Sequence, residues 1–200
     1  MIFLNFKIYQ ETSGENTLKL CRIIKDKRVV VCLQATDIYR VKQALPQLAV
    51  WGQHADPSPL SLAVAGAGGV LLNHFEHQLS FDQIKATVAE CRQSQLKVMI
   101  ITDTVELIQK INDLKPDYIG FEDPRLIGGP VAMIDANFDL VKQAAAAAQA
   151  PLIVGGGIRT SDQVKKSLSA GGKGVLVASE FAKSDNPEQT LSQLLKGLDT

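Results

Sequence analysis

Ile2-Phe3-Leu4-Asn5-Phe6-Lys7-Ile8-Tyr9 opens the chain with an apolar run that ends in polar residues and contains no glycine. The run Ile2 to Phe6 has no polar alternation, as in a parallel strand buried on both faces. Behind it, Asn16 to Lys25 sets Leu18, Cys21 and Ile24, with neighbouring Leu20 and Ile23, at helical spacing. The pair then recurs. Val29 to Leu33 precedes Asp37 to Leu45, Ala49 to Gly52 precedes a short Pro59 to Ala65 segment, and Val70 to Asn73 precedes Phe81 to Gln93. Val98 to Thr102 is followed by Val105 to Leu114, and Tyr118 to Glu122 by Asp135 to Gln149. Leu152 to Val154 leads to Ser161 to Ala170, and Val175 to Ala178 to Pro187 to Leu198. Strand and helix in strict succession, eight times over, predict an α/β fold of the closed (β/α)₈ kind. An open doubly wound sheet competes with this reading, but it carries a Gly-rich turn after its first strand, where this chain has Asn5 to Tyr9.

At 200 residues the chain is short for a barrel, which typically takes about 250, so its loops must be short and its third βα unit is truncated. With 46% hydrophobic residues and no visible linker or charge block, one domain over residues 1–200 is expected. The run Ala144 to Ala148 falls inside a predicted helix and reads as structure, because alanine is the best helix former. Lys plus Arg and Asp plus Glu are equal at 21 each, so no overall field favours nucleic acid or an anionic membrane. Any anion site must be built locally, and the expected ligand is small. No apolar run approaches the roughly 20 residues of a bilayer span, and the first residues lack a basic region and a cleavage site. A cytoplasmic location is expected. Cys21, Cys32 and Cys91 are odd in number and widely spaced, which predicts reduced core residues rather than disulfides or a metal cluster.

In a barrel of this kind, chemistry sits at the C-terminal ends of the strands. That filter retains Asn5 and Lys7 after the first strand, Gln53 and His54 after the third, and Asn73, His74 and Glu76 after the fourth. Glu122 follows the sixth. Gly155-Gly156-Gly157 follows the seventh, and Ala178-Ser179 the eighth, where unhindered backbone N–H groups suit a phosphate. A glycine triplet alone serves a tight turn equally well, and position on the barrel favours phosphate. Glu122 precedes Asp123-Pro124-Arg125-Leu126-Ile127-Gly128-Gly129-Pro130, which reads as a hinged lid. A strand-end carboxylate beside a water-excluding loop suits a general base, although a salt-bridged surface Glu is the commoner fate. His74 is placed where a following helical N-terminus disfavours the imidazolium, leaving a neutral proton donor. His54 and His77 read as structural.

Taken in order, these segments resemble the triosephosphate isomerase family, its archaeal branch above all. The residues carrying the likeness are Asn5-Phe-Lys7, Gln53-His54-Ala-Asp56-Pro57, Asn73-His74-Phe-Glu76, Phe121-Glu122-Asp-Pro-Arg-Leu126-Ile127-Gly128-Gly129, Gly155-Gly156-Gly157-Ile158 and Gly174-Val-Leu-Val-Ala178-Ser179. The resemblance implies that Lys7 neutralises substrate charge, Asn5 helps hold the substrate, and His74 polarises its carbonyl as a neutral acid. It implies further that Glu122 moves the proton between two carbons and that Glu76 pairs with the lysine. Ile127, Gly128, Gly155, Gly156, Gly157, Ala178 and Ser179 would line the phosphate site, with Glu180 turned outward to solvent. The implied partner is a small phosphorylated triose, with neither metal nor organic cofactor.

Several positions depart from the family pattern. Only Ser58 to Ala65 lies between Pro57 and Gly66, where the family has a long third loop that enters a partner subunit. A monomer, or a dimer not built on that loop, is therefore expected. Phe75 stands in place of a small Ser, Asp123 in place of a proline, and Glu180 in place of a small residue, while Ile101 and His77 replace the usual cysteine and basic residue. A phosphate-binding barrel with little or no activity, and a related phosphosugar enzyme, remain the alternative readings.

Overall fold

A computed structural model describes residues 1–199. Eight parallel strands close on themselves in the order β1 to β8: β1 (Ile2–Asn5), β2 (Val29–Leu33), β3 (Ala49–Gly52), β4 (Gly69–Leu72), β5 (Lys97–Thr102), β6 (Tyr118–Phe121), β7 (Leu152–Val154) and β8 (Gly174–Val177). The ring is completed by β8 pairing with β1, Ile2 opposite Val175 and Leu4 opposite Val177. The helices are α1 (Glu15–Ile23), α2 (Ala35–Ala44), α3 (Pro59–Val64), α4 (Phe81–Gln93), α5 (Val105–Asn112), α6 (Met133–Ala136), α7 (Phe138–Ala147), α8 (Ser161–Ser169), α9 (Ser179–Ala182) and α10 (Pro187–Lys196). The third crossover is the short α3, begun by Ser58, whose hydroxyl accepts the Ser61 N–H at 3.2 Å. The seam it leaves is thin: β3 and β4 share the single register pair Gly52–Val70, whereas β4 and β5 share four.

The predicted helix over residues 135–149 is corrected to two. Asn137, at φ −138° and ψ 48°, ends α6 and begins α7, as suits a side chain that competes with helical hydrogen bonds. Of the alanine run, Ala144 to Ala147 lie in α7 and Ala148 is its extended C-cap; the end is held by Asn112, whose Nδ2 donates to Ala147 O at 2.9 Å and whose Oδ1 accepts from Gln149 N at 3.0 Å. The short α9 has no counterpart in the sequence pattern. The three cysteines are free and buried, and no helix among the described residues is long and apolar enough to cross a membrane.

Two apolar layers follow from the strand pattern. One lies between barrel and helices; the other fills the barrel with Phe3, Val30, Cys32, Trp51, Leu71, Met99, Ile101, Ile153 and Leu176. Trp51 is large for so small a barrel, and Phe3 meets it edge-on with ring centroids 5.2 Å apart. Room for the indole comes from Gly69 on the next strand, where an added Cβ would collide with the ring. Gly69→Val should therefore destabilise the protein by roughly 1–3 kcal/mol, lowering the Tm by about 2–4 °C per kcal/mol. Trp51 is the only tryptophan, so its fluorescence can follow thermal unfolding, and an unchanged Tm would refute this account of the packing.

Candidate active site

The residues singled out after strands β1, β4 and β6 meet at one end of the barrel. Lys7 has a positive φ of 51°, uncommon for a residue with a side chain. Asn5 steadies it by accepting the Lys7 backbone N–H on Oδ1 at 3.0 Å, which accounts for an Asn two residues before the lysine. The Lys7 ammonium lies 3.3 Å from Glu76 Oε1 and 4.5 Å from the centre of the Phe75 ring. Phe75 also leans on the His74 imidazole, with ring centroids 4.6 Å apart. Lys7 and His74 are consequently only 3% and 1% exposed within a single chain.

The expected helical N-terminus behind His74 is a correction: residues 74–77 form a turn, and α4 begins only at Phe81. The imidazole is kept neutral by other means. Burial, then the charges of Lys7 and His54, push its pKa down to about 3. The Glu76 backbone N–H donates to His74 Nδ1 at 3.3 Å, so the ring proton sits on Nε2. That nitrogen faces Glu122, whose Oε2 lies 3.6 Å away.

Glu122 is buried, and its Oε2 has no hydrogen-bond partner among the described residues. Desolvation pushes its pKa up to about 7 against the opposing pull of Lys7 and the Gly156 N–H, with Glu76 adding to the rise. Gly155 provides the space, since a Cβ there would fall on the Glu122 carboxylate. This glycine therefore abuts the carboxylate. Gly156 and Gly157, at φ 83° and 81°, continue the chain into a pocket.

Asn5, Lys7, His74, Glu122, Ile127, Gly128, Gly156, Gly157, Ala178 and Ser179 all line that pocket, about 440 Å³ counted out to its open mouth. The backbone N–H groups of Gly128, Gly157 and Ser179 are taken up by no internal hydrogen bond among the described residues. In the loop after β6, Asp123 ties the first turn together locally: Oδ1 accepts Arg125 N and Nε, each at 2.9 Å, and Oδ2 accepts Nη2 at 2.7 Å. The Arg125 hydrogen bonds also hold the Asp123 carboxyl below its ordinary pKa.

Glu180 departs from expectation. It lines the pocket instead of turning out to solvent, because Arg159 offers it a charge partner with Nε 3.7 Å from Oε2. Arg159 also lines the pocket, and a filter for polar residues at strand ends does not reach it, although it directly follows the glycine triplet and Ile158. Gln53, His54 and Asp56 do not line this pocket, although His54 adjoins it through His74, with ring centroids 6.4 Å apart. The His54 ring stacks 4.8 Å from His77, whose Nδ1 is 3.2 Å from Asp56 Oδ2, beside α3. No cluster of His, Cys, Asp and Glu suited to a metal ion occurs among the described residues.

Comparison with known proteins identifies the family. Residues 1–114 match the family model for triosephosphate isomerase. Over 99% of its length the chain is 31% identical to the triosephosphate isomerase of Methanobrevibacter smithii, covering 98% of that protein. The chain belongs to the triosephosphate isomerase family. A second relative of that name, from Saccharolobus solfataricus, is 32% identical over 98% of this chain and 94% of its own. Residues 84–196 also match the model for histidine biosynthesis protein, so the C-terminal half shares features with a second group. Among solved structures, the triosephosphate isomerase of Bartonella henselae superposes with TM-score 0.68 at 18% identity, covering 99% of this chain and 97% of that one. A Pyrococcus furiosus tryptophan synthase α-subunit gives 0.75 at 14% identity, covering 97% and 96%. Those two likenesses speak to the barrel alone.

The buried carboxylate has a measurable thermodynamic signature. A folded-state pKa raised from the ordinary 4.5 to about 7 means that the native state holds the Glu122 proton through a window where the unfolded state has released it. Stability from this group is thus present below about pH 4.5 and lost as pH rises to about 7. Glu122→Gln should leave the Tm nearly unchanged at pH 5 and raise it at pH 8 by at least about 3 °C, the scale expected for one unsatisfied buried polar group. A gain independent of pH would contradict the assignment.

Proposed function

We propose that this protein interconverts dihydroxyacetone phosphate and glyceraldehyde 3-phosphate, with Glu122 and His74 moving the protons. What carries the reading is the unpartnered, desolvated Glu122 Oε2 facing the protonated nitrogen of a neutral His74 across 3.6 Å, with the Lys7 charge acting on both. Glu122 takes the proton from the carbon next to the carbonyl, and the C–H electron pair forms the carbon–carbon double bond of an enediolate. His74 Nε2 gives its proton to the carbonyl oxygen and recovers one from the neighbouring hydroxyl. Protonated Glu122 then returns its proton to the other carbon. A base with a pKa near working pH opposite a neutral acid is the division of labour for which this family is the established example. Lys7 offsets the developing negative charge, held in place by Glu76 and Phe75. The free N–H groups of Gly128, Gly157 and Ser179 suit the substrate phosphate, with Ile127, Gly156 and Ala178 shaping the wall and Gly155 admitting the base.

A second reading, a related phosphosugar enzyme, draws on the match of residues 84–196 to the histidine biosynthesis model and on the charged pair Arg159 and Glu180 at the phosphate end. A coupled assay with glyceraldehyde 3-phosphate separates the two. Turnover is expected, with kcat/KM falling about tenfold per pH unit below about pH 7, where free Glu122 gains its proton. Glu122→Gln should reduce kcat/KM by about 10²–10⁴-fold with an unchanged circular dichroism spectrum. Near-parental turnover in that variant would remove Glu122 from the chemistry.

We further propose that the site is complete in one chain. Phe75 covers Lys7 and His74, and α3 is too short to enter a neighbour. Light scattering over a range of concentrations should give the mass of a monomer, or of a dimer in which residues 58–65 stay clear of the partner. A dimer with that segment buried against the partner's active site would contradict the proposal.

A further inference from the structure

Arg159 lies between the glycine triplet of β7 and Thr160, the N-cap of α8. Its main chain is fixed by that cap: the Arg159 N–H donates to Gln163 Oε1 at 2.8 Å, and the Thr160 N–H to the same atom at 3.2 Å. The side chain reaches the other way, into the wall of the pocket. Nη1 donates to Pro130 O at 3.0 Å and Nη2 donates to Gly129 O, both carbonyls at the far end of the lid. Nε faces Glu180 Oε2, which follows β8, at 3.7 Å. One guanidinium thus joins the lid to the ends of two strands, beside Gly157 and Ser179.

The three contacts differ in kind. Those to the lid are hydrogen bonds. The separation from Glu180 is too long for one, so it is a charge pairing that leaves Nε–H able to donate elsewhere. Glu180 alone would repel a phosphate in this pocket, and Arg159 offsets that repulsion. A phosphate carries more charge than a carboxylate and accepts from an arginine fork in matched geometry, so it competes well for the same guanidinium.

Building on the reading of the pocket as a phosphosugar site, we propose that Arg159 is its positioning residue at the phosphate end. It fastens the lid through the carbonyls of Gly129 and Pro130 and moves its charge pairing from Glu180 to the ligand phosphate on binding. Glu180 is the placeholder that keeps the guanidinium aimed along the wall while the pocket is empty. Arg159 takes no proton and makes no bond to carbon. Its effect on turnover runs through phosphate affinity and lid closure.

The test compares the parent protein with R159M, R159K, E180Q and the double variant R159M/E180Q, by calorimetric titration with inorganic phosphate, by kcat and KM, and by trypsin cleavage after Arg125 in the lid. R159M should weaken phosphate binding by about tenfold or more, raise KM more than it lowers kcat, and speed cleavage after Arg125. R159K should recover part of the phosphate affinity through its charge while leaving the lid as cleavable as in R159M, because a lysine lacks the fork that spans two carbonyls. It also carries the test if R159M fails to fold. E180Q should tighten phosphate binding when Arg159 is present, and by a smaller factor in the R159M background. Phosphate affinity and lid cleavage unchanged in both R159M and R159K would overturn the proposal, as would equal effects of E180Q with and without Arg159. If the binding pattern holds but the parent shows no isomerisation, the proposed reaction fails and the role of Arg159 stands. Isomerisation with phosphate affinity indifferent to Arg159 would overturn the role of Arg159 and leave the reaction standing.

Discussion

Glu122 occupies a slot that exists because residue 155 has no side chain, and in that slot Oε2 is shut off from solvent and makes no hydrogen bond among the described residues. An unpaired buried charge is costly, and the arrangement around it limits that cost without cancelling it. Lys7 and the Gly156 N–H favour the ionised form, while burial favours the neutral one, and the balance leaves the group near neutrality. Moving Glu122 into solvent would relieve the cost and also return its carboxyl to an ordinary acidity. The order of the barrel follows from this: the strand ends must be rigid enough to keep the carboxylate where it is unfavourable.

The same environment acts on His74 in the opposite sense. Burial disfavours the charge of either group, so it raises the pKa of the carboxyl and lowers that of the imidazole. The two ring nitrogens are then distinguished by a single backbone donor, the Glu76 N–H on Nδ1. Phe75 is central to the enclosure, because one aromatic ring lies against both the ammonium and the imidazole. A bulky residue next to His74, which looks like a disturbance in the linear sequence, supplies cover from within the chain.

Much of this is legible in the residues themselves. Apolar runs without alternation announce buried parallel strands, and polar residues just beyond them mark the end of the barrel where Asn5, Lys7, His74, Glu76 and Glu122 gather. What escapes depends on spatial neighbours far apart in sequence. Gly155 looks like part of a phosphate cradle because a glycine triplet does not say which member clears space for a side chain 33 residues earlier. Arg159 and Glu180 are a pair only when β7 and β8 lie side by side. Glu180 therefore reads as an isolated carboxylate that belongs in solvent, with its true partner out of view. The break at Asn137 is hidden by helix-forming neighbours on both sides.

The shortened third unit has a mechanical consequence. Where every other neighbouring pair of strands shares at least two register positions, β3 and β4 share one, so the cylinder is stitched most loosely beneath α3. One further backbone hydrogen bond, Gly68 N–H to Val50 O at 2.8 Å, helps to close this line. Here the line runs up to His54 and the His77–Asp56 pair, across the barrel mouth from the glycines of β7 and the end of β8. His74 and Glu76 leave β4 on one side of this line, so the imidazole borders the thinnest seam of the ring, while Glu122, after β6, stands between seams of four and three register pairs.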